Sequence, residues 1–364
     1  MTMRLTKRGK GTKMIDKNFC MSSYLAFRYI ERDDIDFFPG LHHKNIVPLS
    51  DEQRILVHDS ADIDREIARQ LEQFRGNRKG VLLSGGMDSA IVASYLSGSD
   101  AYTFRFMGGE FQKEETQRAE YYAARYGLRL HYVDISWDTV MNYLEPVIRA
   151  KCAPVHSIEP QILQAAIQAK NDGIEIMFVG ESSDLVFGGM DGLLARDWVF
   201  DEFVNRYMFL KPETALTEPV SMRYLFERYR LPDNKIDYLS FMDDVFSIES
   251  SSSYLNAFVV AGMPYYDPYA RLKMAEKLDL YRVRHGEPKY LIRELMAKKY
   301  PEIPIPNKTP MPRPVDAYFS EWKGPKRDEF LPDLDMKQFT GNQKWQLYCL
   351  EKFLDMYDAG AFIA

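Results

Sequence analysis

Cysteine is scarce in this chain. Cys20, Cys152 and Cys349 stand far apart, and no pair has the spacing of a zinc site or a redox motif. Three is also an odd number, so a disulfide framework is not expected and a reduced, cytoplasmic setting is. Long apolar runs are missing, which excludes a transmembrane helix. Residues 1–17 are basic but lack the apolar segment of a secretion signal. Excess basic charge is missing too. The net charge is −6 and the pI about 5.7, which argues against broad nucleic-acid binding. The six histidines show no ligand spacing and read as structural or surface residues.

Against these absences stands one dense stretch, Ser84-Gly85-Gly86-Met87-Asp88-Ser89. It lies between the apolar run Gly80-Val81-Leu82-Leu83 and a second run from Ala90 to Leu96. The arrangement reads as strand, tight glycine turn and helix. A Gly-Gly turn lets backbone N–H groups approach an anion closely, and the following helix aims its positive end at the same place. Ser84 and Ser89 add hydroxyl donors, and Asp88 can hold a hard cation. This is equipment for a polyphosphate. It is not a Walker A loop, which has a longer spacing and a Gly-Lys-Ser/Thr ending.

Strands and helices alternate after the loop. Ala101–Phe106 reads as a strand and Lys113–Tyr126 as a helix stopped by Gly127. Leu128–Ile135 is a strand, and Ser136 caps a helix to about Arg149. Glu159-Pro160 opens another helix, and 174–179 is a further strand. Such alternation predicts a doubly wound parallel α/β sheet covered on both faces. Ligands of such sheets bind beyond the carboxyl ends of the strands. Beyond about residue 190, helical periodicity is expected to dominate through Tyr300. Six prolines between 301 and 314 then make an irregular segment, and a final helix spans about 342–357.

A second constellation, Gly180-Glu181-Ser182-Ser183-Asp184-Leu185-Val186-Phe187-Gly188-Gly189, follows the 174–179 strand directly. Asp184 and Asp88 are therefore candidates to share magnesium at a bound polyphosphate.

These residues resemble the asparagine synthetase family, whose synthetase domain is an N-type ATP pyrophosphatase of the PP-loop superfamily. The first loop resembles that superfamily's pyrophosphate loop. The second resembles the family's Gly-Glu-Gly-Ser-Asp-Glu-Leu-Phe-Gly-Gly motif. Met263-Pro264-Tyr265-Tyr266-Asp267 is similar to its Val-Pro-Phe-Leu-Asp stretch, and Lys289-Tyr290-Leu291-Ile292-Arg293-Glu294 to its Lys-x-x-Leu-Arg-Glu helix. Lys308 follows where the family carries a loop lysine. The resemblance covers about residues 20–320 in order. It implies a HUP-like fold of the adenine nucleotide α-hydrolase type with an α-helical C-terminal region packed on it. Residues 1–60 read as a connector, 61–190 as the ATP pyrophosphatase core, and 191–364 as a helical substrate side.

The resemblance implies ATP and magnesium as the groups required. Ser84, Gly85, Gly86 and Ser89 would cradle pyrophosphate, with Asp88 and Asp184 on the metal. Adenine would lie against the backbone near Leu83, Phe106 and Gly180, with Glu181 counted in the same site. Lys308 and Lys289 are the candidate catalytic cations. The expected reaction activates a small-molecule or peptide carboxylate as an acyl-adenylate for attack by ammonia or an amine, as in β-lactam synthetase.

The chain departs from the family in several places. It shows no nucleophilic cysteine at its start and no glutaminase domain, so ammonia from a separate glutaminase is one expected source. Gly262 stands where an arginine usually precedes Val-Pro, Ser182 replaces a glycine, and Leu185 an acid. Two other classes stay open: a PP-loop enzyme modifying tRNA or another nucleophile through adenylation, and an inactive nucleotide-binding homologue.

Overall fold

Lys79–Leu82 (β1) is a four-residue strand in which Val81 faces one apolar layer and Leu82 the other. It stands at the centre of a five-stranded sheet with Asp100–Phe106 (β2), Arg129–Ile135 (β3), Ile176–Phe178 (β4) and Tyr265–Tyr266 (β5). The computed structural model describes residues 4–5, 13–107, 113–306 and 313–362. The sheet order is β5-β4-β1-β2-β3 and every pairing is parallel. The chain steps outward from β1 through β2 to β3, then returns to the other side of β1 for β4 and β5. The order therefore reverses between β1 and β4. Connections there leave toward opposite faces, and a crevice opens beyond the carboxyl ends of those two strands.

Helices cover both faces. Ser60–Glu72, Met87–Ala93, Lys113–Arg125 and Tyr290–Lys299 pack on one. In the first of these, Asp59 accepts from the N–H groups of Ala61 and Asp62, and Ile63, Ile67 and Leu71 repeat every four residues toward the sheet. Trp137–Lys151, Glu159–Asn171 and Ser247–Ala261 pack on the other face. Ser136 caps the first of these three through a capping box with Thr139. Lys17–Phe27 is buried along most of its length and lies against the last helix, Gly341–Asp358. There the Gln346 side chain donates to the Leu25 carbonyl at 2.9 Å.

The stretch from 190 to 300 is less helical than its periodicity suggests. It holds short helices, a π-turn at Met242–Phe246, the long helix Ser247–Ala261 and two strands. β5 completes the sheet edge, and Leu272–Met274 pairs in parallel with Ile55–Val57. Two- and three-residue strands have no period to read, and only the partner strand defines them. No helix among the described residues is long and apolar enough to cross a membrane.

Asp36 is a buried ionic knot beside Lys17–Phe27. It accepts from His42 Nδ1 at 2.5 Å, His43 Nδ1 at 2.9 Å and the His43 N–H at 3.2 Å, with Lys13 at 3.4 Å. Burial alone would raise its pKa, but the two histidine bonds and the lysine outweigh it and hold the carboxyl at about 2. The folded value lies below the usual unfolded value near 3.9, so the stabilisation is present above about pH 4 and lost as pH falls through 2. It amounts to about 2 kcal/mol, and roughly half is gone at pH 3. Urea unfolding of wild type and Asp36→Asn should therefore show a gap that narrows by about 1 kcal/mol between pH 6 and pH 3. A gap independent of pH would show that the histidines do not hold the charge.

Candidate active site

β1 ends in the loop 84–89, and β4 ends in the segment 179–184, on the two sides of the crevice. The first loop is tied to itself. Ser89 Oγ accepts from the Ser84 N–H at 3.0 Å and lies 3.0 Å from Ser84 Oγ, which in turn accepts from the Gly86 N–H at 3.1 Å. The Arg118 side chain donates to the Gly85 carbonyl at 2.9 Å, and the Tyr122 hydroxyl reaches it at 3.4 Å. This fixes the peptide plane of a turn that would otherwise be free to rotate.

The second segment closes onto the first. A methyl group at Gly180 would lie 2.9 Å from the Asp88 carbonyl carbon and 3.0 Å from the Ser89 nitrogen. The two backbones therefore touch, and only glycine allows it. Glu181 accepts a hydrogen bond from the Tyr254 hydroxyl, whose pKa is pushed up by burial and then by the charge of Glu181, so that it stays a phenol. The Asp267 carboxylate accepts from the Ser182 N–H at 2.8 Å and the Tyr269 N–H at 3.0 Å. Burial raises its pKa to about 6 against the pull of those bonds. The Met-Pro-Tyr-Tyr-Asp stretch thus anchors the loop carrying Asp184.

Lys289 joins the two loops. Its ammonium lies 2.6 Å from Asp88 Oδ2 and also pairs with Asp184. Burial of the lysine, only 4% exposed, opposes its charge, but the two carboxylates outweigh this and raise its pKa. It remains an ammonium. Its backbone sits in the left-handed region at φ 55°, just before the helix Tyr290–Lys299, which turns the side chain into the crevice. Gly189 makes room, since a methyl group there would lie 2.0 Å from Asp184 Oδ1 and 2.2 Å from Lys289 Cε.

Leu83, Ser84, Gly85, Gly86, Asp88, Ser89, Gly180, Glu181 and Asp184 all line one cleft. Phe106 does not; it is buried in the core layer, and Thr103 and Phe104 line the cleft instead. The register explains the shift. The Leu83 N–H bonds to the Tyr102 carbonyl, so the residues beside the loop are the next two of β2, not those at its end. Lys308 lies outside the described residues. Sequence reading passed over Arg118, Glu115 and Tyr254, which also line the cleft. Glu115 accepts from the Gly85 N–H, and burial raises its pKa.

The donor set suits magnesium. Among the described residues no group of three or more His, Cys, Asp or Glu is placed to hold a metal. Asp88 Oδ1 is buried without a hydrogen-bond partner among them. Two carboxylates at a phosphate cradle match an ion that binds one or two carboxylates and completes its shell with phosphate and water.

Comparison with known proteins gives a family match. Residues 63–253, more than half of the chain, match the family model described as asparagine synthase. No curated protein matches. Among solved structures, NMN synthetase from Francisella tularensis is similar at 14% identity and a TM-score of 0.25, over 36% of this chain and 56% of its own. The chain thus spans little more than half the length of that protein. The U34-tRNA thiolase NcsA from Methanococcus maripaludis, solved with its 4Fe-4S cluster, is similar at 13% identity and a TM-score of 0.30, over 81% of this chain and 78% of its own.

Proposed function

The chain belongs to the asparagine synthase family, and from that premise we propose that it is an ATP-dependent, AMP-forming carbon–nitrogen ligase. One observation carries the reading: a glycine cradle, two carboxylates and a buried ammonium converge from 200 residues of sequence onto the switch point of the sheet.

Ser84, Gly85, Gly86 and Ser89 cradle the β and γ phosphates of ATP, with the Ser84 and Ser89 hydroxyls as donors once they turn from each other to the anion. Asp88 and Asp184 would hold magnesium, which supplies charge neutralisation at the phosphates. A substrate carboxylate oxygen attacks the α-phosphorus, the bond to the bridging oxygen breaks, and pyrophosphate leaves with the electron pair. Lys289 orients both carboxylates and keeps positive charge near the leaving group. Lys308, by resemblance, serves the same end. Ammonia or an amine then attacks the acyl carbon, and AMP leaves.

The test is to follow pyrophosphate release from ATP with panels of carboxylic acids, each with and without ammonium or amines. The expected result is AMP and pyrophosphate in equal amounts, dependent on an acid. Release driven by RNA and by no acid would favour nucleic-acid modification instead. Absence of any ATP binding by calorimetry would leave only an inactive homologue.

A further inference from the structure

Behind the second nucleotide loop lies a small, largely enclosed cavity lined by Glu181, Ser182, Ser251, Tyr254, Tyr265 and Asp267. Glu181 and Tyr254 also line the nucleotide cleft, so they form the wall between the two spaces. The cavity has room for one body about the size of a water molecule. Its polar side chains present oxygen throughout: two carboxylates, two serine hydroxyls and two phenols. No lysine, arginine or histidine lines it, which excludes an anion as the occupant.

Two of these oxygens lack partners. Ser182 and Ser251 are each 3% exposed, and their hydroxyls are buried without a hydrogen bond among the described residues. Ser182 Oγ stands near enough to Asp267 to help keep its carboxylate charged, but not in the geometry of a hydrogen bond. A buried hydroxyl left alone is costly, so two beside one cavity point to something that fills it.

Asp267 supplies charge. It is 4% exposed, and its two oxygens accept from the N–H groups of Ser182 and Tyr269. Those donors are neutral, and none of the groups that chiefly set its pKa is a cation. Each carboxylate oxygen keeps a second lone pair for another contact. The two phenols register the resulting potential. Burial first, then the charges of Glu181 and Asp267, push the pKa of Tyr254 and of Tyr265 up. A water would satisfy the hydroxyls but leave the Asp267 charge unanswered, whereas a cation meets both needs.

We propose that this cavity is a monovalent-cation site for potassium, held by Asp267 and the hydroxyls of Ser182 and Ser251. Potassium is about as large as water and takes hydroxyl and carboxylate oxygens without strict geometry. Magnesium keeps several waters in a tight octahedron, for which the cavity has no room, and calcium asks for more oxygens than meet here. The ion does not touch the nucleotide. Ser182 stands two residues after Gly180 and two before Asp184, so the ion braces from behind the loop that touches Asp88 and Ser89.

The first measurement is thermal shift of the full chain in potassium, sodium, lithium and tetramethylammonium chlorides at equal ionic strength. Potassium is expected to raise the melting temperature by about 2 °C or more over tetramethylammonium. Ser251→Ala loses this increment and keeps the shift caused by ATP with magnesium. Ser182→Ala loses it as well, and covers the case in which the first variant does not fold. The second measurement is anomalous scattering from crystals grown in thallium(I) acetate, thallium(I) being an ion of potassium size. A peak is expected in the cavity beside Asp267. Equal melting in potassium and tetramethylammonium, an increment that survives both substitutions, or no thallium peak would overturn the site and leave a water in the cavity. Neither measurement depends on the ligase reaction, so a failure of that reading leaves the site standing.

Discussion

Lys289→Met is expected to reduce acid-dependent pyrophosphate release by at least about a hundredfold, the scale of removing one group that stabilises developing charge. It should also lower stability by about 2–3 kcal/mol. Removing one partner from a buried ionic group leaves the others uncompensated, and here Asp88 and Asp184 would face each other without a cation. The loss is smaller than for a fully buried pair because the two acids remain 23% and 30% exposed. The same logic gives a signature that a merely structural lysine would not leave. Magnesium should raise the melting temperature of Lys289→Met more than that of the wild type, since the two carboxylates have lost their internal counter-charge. Unchanged turnover together with an unchanged magnesium response would remove Lys289 from the site.

Gly180→Ala is expected to lower ATP affinity tenfold or more and to destabilise the chain by about 1–3 kcal/mol, as overpacking does. The added methyl meets backbone atoms of Asp88 and Ser89, not the end of a flexible side chain, so one loop must move away from the other. Moving it separates Asp88 from Asp184 and strains the Lys289 bridge. Gly76→Ala is the control, because nothing lies within 4 Å of a methyl there. Calorimetry with ATP and magnesium would measure both. Affinity equal to the wild type would mean that the nucleotide does not need the two loops in contact.

Much of this site was legible in the chain because its donors are contiguous. Ser84 to Ser89 lie in one turn, and 180–184 in another, and each follows an apolar run that reads as a strand. The helix capped by Ser136 and the final helix, Gly341–Asp358, were legible for a similar reason: caps and apolar periods are local signals. Phe106 was placed near adenine by the family resemblance, but which residues of a strand stand beside the loop is set by register with its neighbours, and the ladder put Thr103 and Phe104 there instead. β5 escaped because two residues carry no period.

By itself the sequence determined the parallel α/β architecture, the glycine cradle and the acids beside it, since these follow from short-range patterns of burial, turn chemistry and charge. Only the tertiary structure decided that Lys289 stands between Asp88 and Asp184, and that Ser182, Ser251 and Asp267 meet at one cavity. Asp88 and Lys289 are 201 positions apart. At that separation charge pairing leaves no local signal, and the partner of a buried ion is chosen by which surfaces the folded layers bring face to face.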